Sequence, residues 1–221
     1  MKLKPRARKA EWRDFEACFK RRRIGPLKHF TAVENLDTVF DPGPARLSNT
    51  GRIAPGLYSR RRLRDLHLEP FRLHRWGGKG KALEDYICLC FHLPVGILRA
   101  EAEPPAILVI DPAVITWKGT CFCPTNSASA RISVEEILAR EDLESFENLF
   151  RRDFSSELIY RQAEILVRDH LPLESFERVV LPECEAGYRA HRGLLWLKWR
   201  RRLLAHGGFP KVGFGSWQSW V

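Results

Sequence analysis

Between residues 11 and 23 the apolar positions Trp12, Phe15 and Phe19 recur at spacings of three and four, the period of one face of a helix. The opposite face carries Lys20, Arg21, Arg22 and Arg23, and Gly25-Pro26 follows, so the segment predicts an amphipathic helix that stops there. From Asp37 to Gly56 apolar residues are few, and Asp41-Pro42-Gly43-Pro44 and Asn49-Thr50-Gly51 intervene. That pattern predicts a long loop, and loops of such length in compact domains are usually functional or mobile, which makes it a candidate to face a ligand. Residues 57–68, LYSRRRLRDLHL, suit a short basic helix, broken by Gly77-Gly78-Lys79-Gly80.

The period then changes. Tyr86 to His92 (YICLCFH) and Ala106 to Ile110 (AILVI) are short apolar runs bounded by turn residues, as buried strands are. Ser133-Val134-Glu135-Glu136 fits a capping box, and behind it Ile137, Leu138, Phe146, Leu149 and Phe150 fall near one face of a third helix. Ala163 to Val167 and Arg178 to Leu181 read as further strands, and Tyr188 to Ala205 as a basic helix with Leu194, Leu195 and Leu203 inward, ended by Gly207-Gly208. Strands and helices mix without regular alternation, which favours an α+β fold over a doubly wound one.

Composition fixes the scale: 221 residues, 44% hydrophobic and 29% charged, are those of one globular domain and not of a disordered chain. A single domain is therefore expected over residues 1–221, with 1–26 as a basic N-terminal helical extension. The net charge is +10, which favours polyanionic partners such as nucleic acid. It is unevenly placed. Residues 1–28 carry 11 basic and 3 acidic groups, 51–81 carry 9 and 2, 188–221 carry 7 and none, while 101–187 carry 8 and 17. Three separated segments are thus expected to build a positive face with a negative back. No run of 18 apolar residues exists, which argues against a membrane-spanning helix. The N-terminus lacks the apolar stretch of a secretory signal, and the six cysteines are too few and too clustered for a disulfide scaffold. A reducing cytoplasm is the expected compartment.

Four constellations carry candidate chemistry. In Leu27-Lys28-His29-Phe30-Thr31 the histidine and the hydroxyl are two apart on an extended segment, so His29 and Thr31 share a side and suit a sugar hydroxyl and an amide. A structural histidine is the plainer account. The run Arg60-Arg61-Arg62-Leu63-Arg64 suits phosphate or a pyrophosphate, or is simply a solvated face. Glu164 opens an apolar strand, where a carboxylate sits at the mouth of a cleft within reach of a ribose hydroxyl, or else forms a salt bridge at its rim. Cys88-x-Cys90 and Cys121-x-Cys123 would converge on zinc only if their strands were neighbours, and structural zinc sites usually draw cysteine pairs from turns with wider spacing. Buried small thiols fit better, and no metal is expected.

In order along the chain, H-F-T-x-V-x-N-L from His29, an arginine-bearing helix, Asp85-Tyr86 leading a strand to Phe91, and R-Q-A-E-I-L-V ending at Val167 resemble the DarT family of bacterial DNA ADP-ribosyltransferase toxins. The resemblance spans roughly His29 to Val221, strongest in its two end motifs. It implies an ADP-ribosyltransferase-like fold, with a split mixed sheet and flanking helices around a cleft that binds NAD+ as ADP-ribose donor. The activity implied is transfer of ADP-ribose to thymine or guanine of single-stranded DNA, by the toxin of a toxin-antitoxin pair. On the same grounds Glu164 is the catalytic glutamate, and His29, Thr31 and Asn35 contact NAD+. The catalytic arginine falls at Arg61, which is also expected to contact NAD+, with Arg60 and Arg62 one register away. Cys90 stands where relatives often have tyrosine and Asn126 where they often have histidine, so both, with Arg60 and Arg62, are candidate DNA contacts. The resemblance also implies a macrodomain antitoxin as partner and a monomeric enzyme. An RNA-modifying transferase and a non-catalytic basic nucleic-acid-binding protein are the alternatives.

Overall fold

The computed structural model describes residues 6–40, 55–66, 82–92, 106–129, 131–150, 162–182 and 211–215. The first helix, α1 (Trp12–Arg22), buries Phe15 and Cys18 and ends on Arg23 in the left-handed conformation. Strand β1 (Leu27–Thr31) leads through a turn of tight helix at Val33–Asn35 into α2 (Leu36–Phe40). The expected loop therefore begins later than Asp37: Leu36 and Val39 are buried in the core and hold this segment helical.

Strand β2 (Gly56–Tyr58) precedes α3 (Arg60–Asp65). The basic helix is shorter than the expected 57–68 because the hydroxyl of Ser59 caps it, accepting from the amide of Arg62 at 3.3 Å, while Leu57 and Tyr58 pair as strand with Leu171 and His170. Strands β3 (Tyr86–Cys90), β4 (Ala106–Ile110) and β5 (Cys121–Cys123) follow. The expected third helix is two. The capping box at Ser133 and Glu136 opens α4 (Val134–Leu138), and Asp142, accepting from the amide of Ser145 at 2.7 Å, opens α5 (Leu143–Asn148). The break lets Ile137 and Phe146 enter different clusters. Strands β6 (Glu164–Arg168), β7 (His170–Pro172), β8 (Phe176–Pro182) and β9 (Lys211–Gly215) complete the described elements. The glycine break at 77–80, the helix expected at 188–205 and its Gly207-Gly208 stop lie outside the described residues.

One sheet runs β5-β6-β3-β1-β4-β8-β9, and β2 and β7 form a separate pair. All neighbours in the large sheet are antiparallel except β8 and β9. The fold is thus mixed α+β with a mostly antiparallel sheet. Alternation along the strands sends residues to two faces. On one, Ile87, Leu89, Ile165, Val167 and Phe122 pack under Phe15 and Phe146 of α1 and α5. On the other, Cys121, Cys123 and Leu166 pack with Ile132 and Ile137 beside α4. The segment before α1 is clamped to the sheet edge: Arg6 donates to the carbonyls of His170 and Arg168 at 2.9 and 2.6 Å. The buried Lys9 ammonium donates to the carbonyls of Thr120 and Glu141.

Candidate active site

Glu164 is the first residue of β6, between β5 and β3, and its register partners are Cys123 on one side and Cys90 on the other. The side chain is 7% exposed. Its Oε2 accepts from the backbone N–H of Ser127 at 2.9 Å, so the salt bridge at a cleft rim is not what the fold builds. Burial raises the carboxyl's pKa, and hydrogen bonds from the hydroxyl and amide of Ser127 oppose that rise by favouring the charged form. The result is a buried carboxyl whose charged form is favoured by two donors of one residue and opposed by its burial.

Cys88 connects this carboxylate to the other sequence-derived candidates. Nδ1 of His29 lies 2.9 Å from the carbonyl oxygen of Cys88, and the Cys88 thiol sits 3.8 Å from the hydroxyl of Ser127. Burial and the charge of Glu164 both push that thiol's pKa up, in that order. Arg60 is part-buried, its pKa is lowered mainly by that burial, and Glu84, Arg64 and Cys88 contribute less. His29 and Ser127 both contact Cys88, on the strand next to the one that carries Glu164.

The three adjacent arginines diverge. Arg61 is 61% exposed and pairs with Asp85 at 3.3 Å. Arg62 is exposed and influences Tyr58 and His170, whose rings stack at 4.4 Å. Of the three, Arg60 is the one that is part-buried. Thr31, buried at the end of β1, accepts from Nδ2 of Asn35 at 3.1 Å, which ties the strand end to the following turn. Asn126 folds back on its own loop, accepting from the amide of Ala128 at 2.8 Å. Cys90 lies in the row between Glu164 and Lys28, its pKa raised first by burial and then by Glu164.

The two cysteine pairs do not lie on neighbouring strands. β6 separates β3 from β5, and among the described residues no group of three or more His, Cys, Asp or Glu side chains is placed to hold a metal ion. Sequence reasoning missed Ser127, and it named Cys88 only as a zinc or buried-thiol candidate, not as a neighbour of His29 and Ser127. The only available signal was the polar stretch Thr125-Asn126-Ser127 directly after an apolar strand, since a turn that follows a strand can return its amides to a neighbour.

No curated protein matches the chain. Among solved structures, DarT of Thermus sp. 2.9 in complex with NAD+ superposes with a TM-score of 0.50 at 18% identity, covering 89% of this chain and 97% of that one. The same protein in complex with ADP-ribosylated single-stranded DNA gives 0.50 at 16% identity, covering 90% and 96%. The fold is thus that of an ADP-ribosyltransferase. Residues 29–194 match the family model described as ssDNA thymidine ADP-ribosyltransferase, DarT. The chain belongs to the DarT family of NAD-dependent single-stranded DNA ADP-ribosyltransferases. That family description names thymidine, one of the two bases the resemblance left open.

Proposed function

We propose that Glu164 is the catalytic carboxylate of this enzyme, that Arg60 is the arginine acting with it, and that His29, Thr31 and Asn35 hold NAD+. The observation that carries this reading is the buried Glu164 carboxylate, oriented by Ser127 and linked through Cys88 to His29, with Arg60 the part-buried arginine of its run.

The chemistry follows from the bonds exchanged. The bond from C1′ of the ribose to the nicotinamide nitrogen breaks and its electron pair leaves with nicotinamide. The ribose develops oxocarbenium character, which an anion near the 2′-hydroxyl stabilises. A thymine ring nitrogen forms the new bond to C1′ and gives up its proton. A carboxylate whose proton affinity is raised by burial is suited to receive that proton, and the guanidinium of Arg60, brought to the base, would steady the negative charge that develops on it. A single strand offers the base unstacked at little cost. Cys90, Asn126 and Arg62 are the candidate DNA contacts, and the basic segments would follow the backbone.

In its biological setting the enzyme is a cytoplasmic, monomeric toxin whose modification a macrodomain antitoxin removes. The chain's excess positive charge and the family it belongs to support this reading, and among the described residues no helix is long and apolar enough to cross a membrane. The test is incubation with adenylate-labelled NAD+ and oligonucleotides of one sequence as single-stranded DNA, duplex DNA and RNA. Label is expected on thymidine of the single-stranded DNA and absent with Glu164→Gln. Labelling of RNA alone would replace the proposed substrate, and undiminished transfer by Glu164→Gln would remove Glu164 from the mechanism.

A further inference from the structure

Where β6 ends, the chain leaves the large sheet for the separate β2-β7 pair, and the change of sheet takes place at Arg168-Asp169-His170. Asp169 has a φ of 62°, a left-handed backbone that residues other than glycine adopt seldom and that surrounding contacts must hold. Both backbone polar groups of Asp169 bear on α3. Its carbonyl accepts from the amide of Ser59, the capping residue of that helix, at 2.7 Å, and its amide donates to the carbonyl of Asp85 at 2.7 Å. Next to Asp85, the carbonyl of Glu84 accepts from the amide of Arg61 at 3.0 Å. These two holds on the start of α3 therefore meet at Asp169, and Arg60 lies between them in the chain.

The turn is gripped from the segment before α1. The guanidinium of Arg6 donates to the carbonyls on either side of Asp169, to that of Arg168 at 2.6 Å and to that of His170 at 2.9 Å. A planar fork of donors reaches both at once, which a single ammonium on a flexible stem does not reproduce. Burial opposes the charge on Arg6 first, the charge of Asp169 favours it, and Arg168 opposes it. Arg6 is itself held in place. Its guanidinium lies 5.3 Å over the ring of Trp117, Ala7 accepts from the amide of Lys118 at 2.9 Å, and the amide of Lys9 donates to the carbonyl of Thr116 at 2.8 Å. An arginine that serves only solubility needs none of these contacts.

We propose that Arg6 is a positioning residue for the transfer reaction: by holding the turn at Asp169 it fixes the capped start of α3, and with it the place of Arg60. The proposal rests on the reading of Arg60 given above. The clamp itself lies upstream of residues 29–194, which the family model matches.

The test is a double-mutant cycle of Arg6→Ala and Arg60→Ala in the full chain. The labelled-NAD+ assay gives kcat and the KM for NAD+, with enzyme counted as NAD+-binding sites by calorimetry. Arg6→Ala is expected to lower kcat by about 10- to 30-fold, within what a displacement of about 1 Å costs, and to move KM by less than about 3-fold. In the Arg60→Ala background the same substitution should lower kcat by no more than about 2-fold further, because residues that act through one another are not additive. Arg6→Lys, with the charge but without the fork, should fall between the wild type and Arg6→Ala, and it takes the place of Arg6→Ala in the cycle should that variant not fold.

A kcat per binding site equal to that of the wild type would reduce Arg6 to a staple of the fold and overturn the proposal. So would effects of the two substitutions that multiply, since Arg6 would then act by another route. If Arg60→Ala itself leaves kcat unchanged, the reading of Arg60 falls and the proposal with it. If Arg60→Ala lowers kcat and Arg6→Ala does not, only the proposal falls.

Discussion

Helix α1 lies upstream of residue 29, where the family match begins, yet its Phe15 is fully buried with ring centroids 5.8 Å from Phe122 and 5.5 Å from Phe146. Lys9, from the segment just before, lies 4.9 Å over the Phe122 ring. If α1 is part of the core, Phe15→Ala removes a whole buried ring and leaves a cavity bounded by two other rings and a sheet. Such truncations cost about 3–5 kcal/mol, and the lost ring pairs place this one near the upper half of that range. With a urea m-value of about 2–3 kcal/mol/M for a chain of this size, the unfolding midpoint should fall by about 1.5–2 M with m unchanged. Phe15→Leu, which keeps most of the volume, should cost about 1–1.5 kcal/mol. Arg21→Ala, on the exposed face, removes a pair with Glu147 in which Arg21 is 62% exposed, and should cost under about 1 kcal/mol. Equilibrium urea unfolding followed by tryptophan fluorescence and far-ultraviolet circular dichroism checks all three. A midpoint shift below about 0.5 M for Phe15→Ala, with coincident transitions, would show that α1 is appended to the domain and does not help to hold it.

Arg60→Ala should lower kcat by at least about 100-fold while Arg61→Ala stays within about 3-fold in the labelled-NAD+ assay; the reverse order would restore Arg61 as the acting arginine. Ser127→Ala removes a hydroxyl that favours the charged form of Glu164, so the acid limb of the kcat profile should move to higher pH, and an unmoved limb would detach Ser127 from Glu164. Because the Glu164 pKa is raised above 4.5 in the folded state, ionising it with rising pH costs stability. Glu164→Gln should therefore gain stability over the wild type as pH rises from 4.5 through the folded pKa, with no gap below that range, as urea titrations at several pH values would report. Gly56→Ala places a Cβ 2.5 Å from the carbonyl of Leu171 and 2.6 Å from Nε2 of His170; it should cost more than about 2 kcal/mol, and a neutral result would mean that β2 and β7 shift apart without penalty.

The periodicity of α1, the apolar runs of β3, β4 and β6 and the capping box at Ser133 were readable because each is a local pattern with its own chemistry. The break between α4 and α5 was not, since Ile137 and Phe146 share a helical stripe on paper and only the sheet between their clusters requires the chain to stop. The shortened α3 has a similar origin: β2 exists because β7, more than a hundred residues away, supplies its partner. At the site, Glu164, His29 and the arginine run were legible as residue types in order. Which arginine turns inward depends on where Ser59 caps the helix, and the contact of Ser127 with Glu164 depends on a loop crossing to a strand 37 residues on. Long-range register has no signature in sequence spacing.

The wall of sulfur around the carboxylate has a consequence for chemical reactivity. Cys18, Cys88, Cys90, Cys121 and Cys123 are all free thiols, and burial raises every one of the four for which a shift is resolved, Cys121 to about 12. Thiolates, not thiols, react with electrophiles and peroxide, so burial disfavours the reactive form at Cys18, Cys88, Cys90 and Cys121. The strand that carries Glu164 is bordered by side chains small enough to leave room and too weakly acidic to compete as nucleophiles for an electron-poor ribose carbon. If Glu164 acts on the ribose as proposed, thiols held protonated beside it would compete poorly with the acceptor base for the sugar carbon.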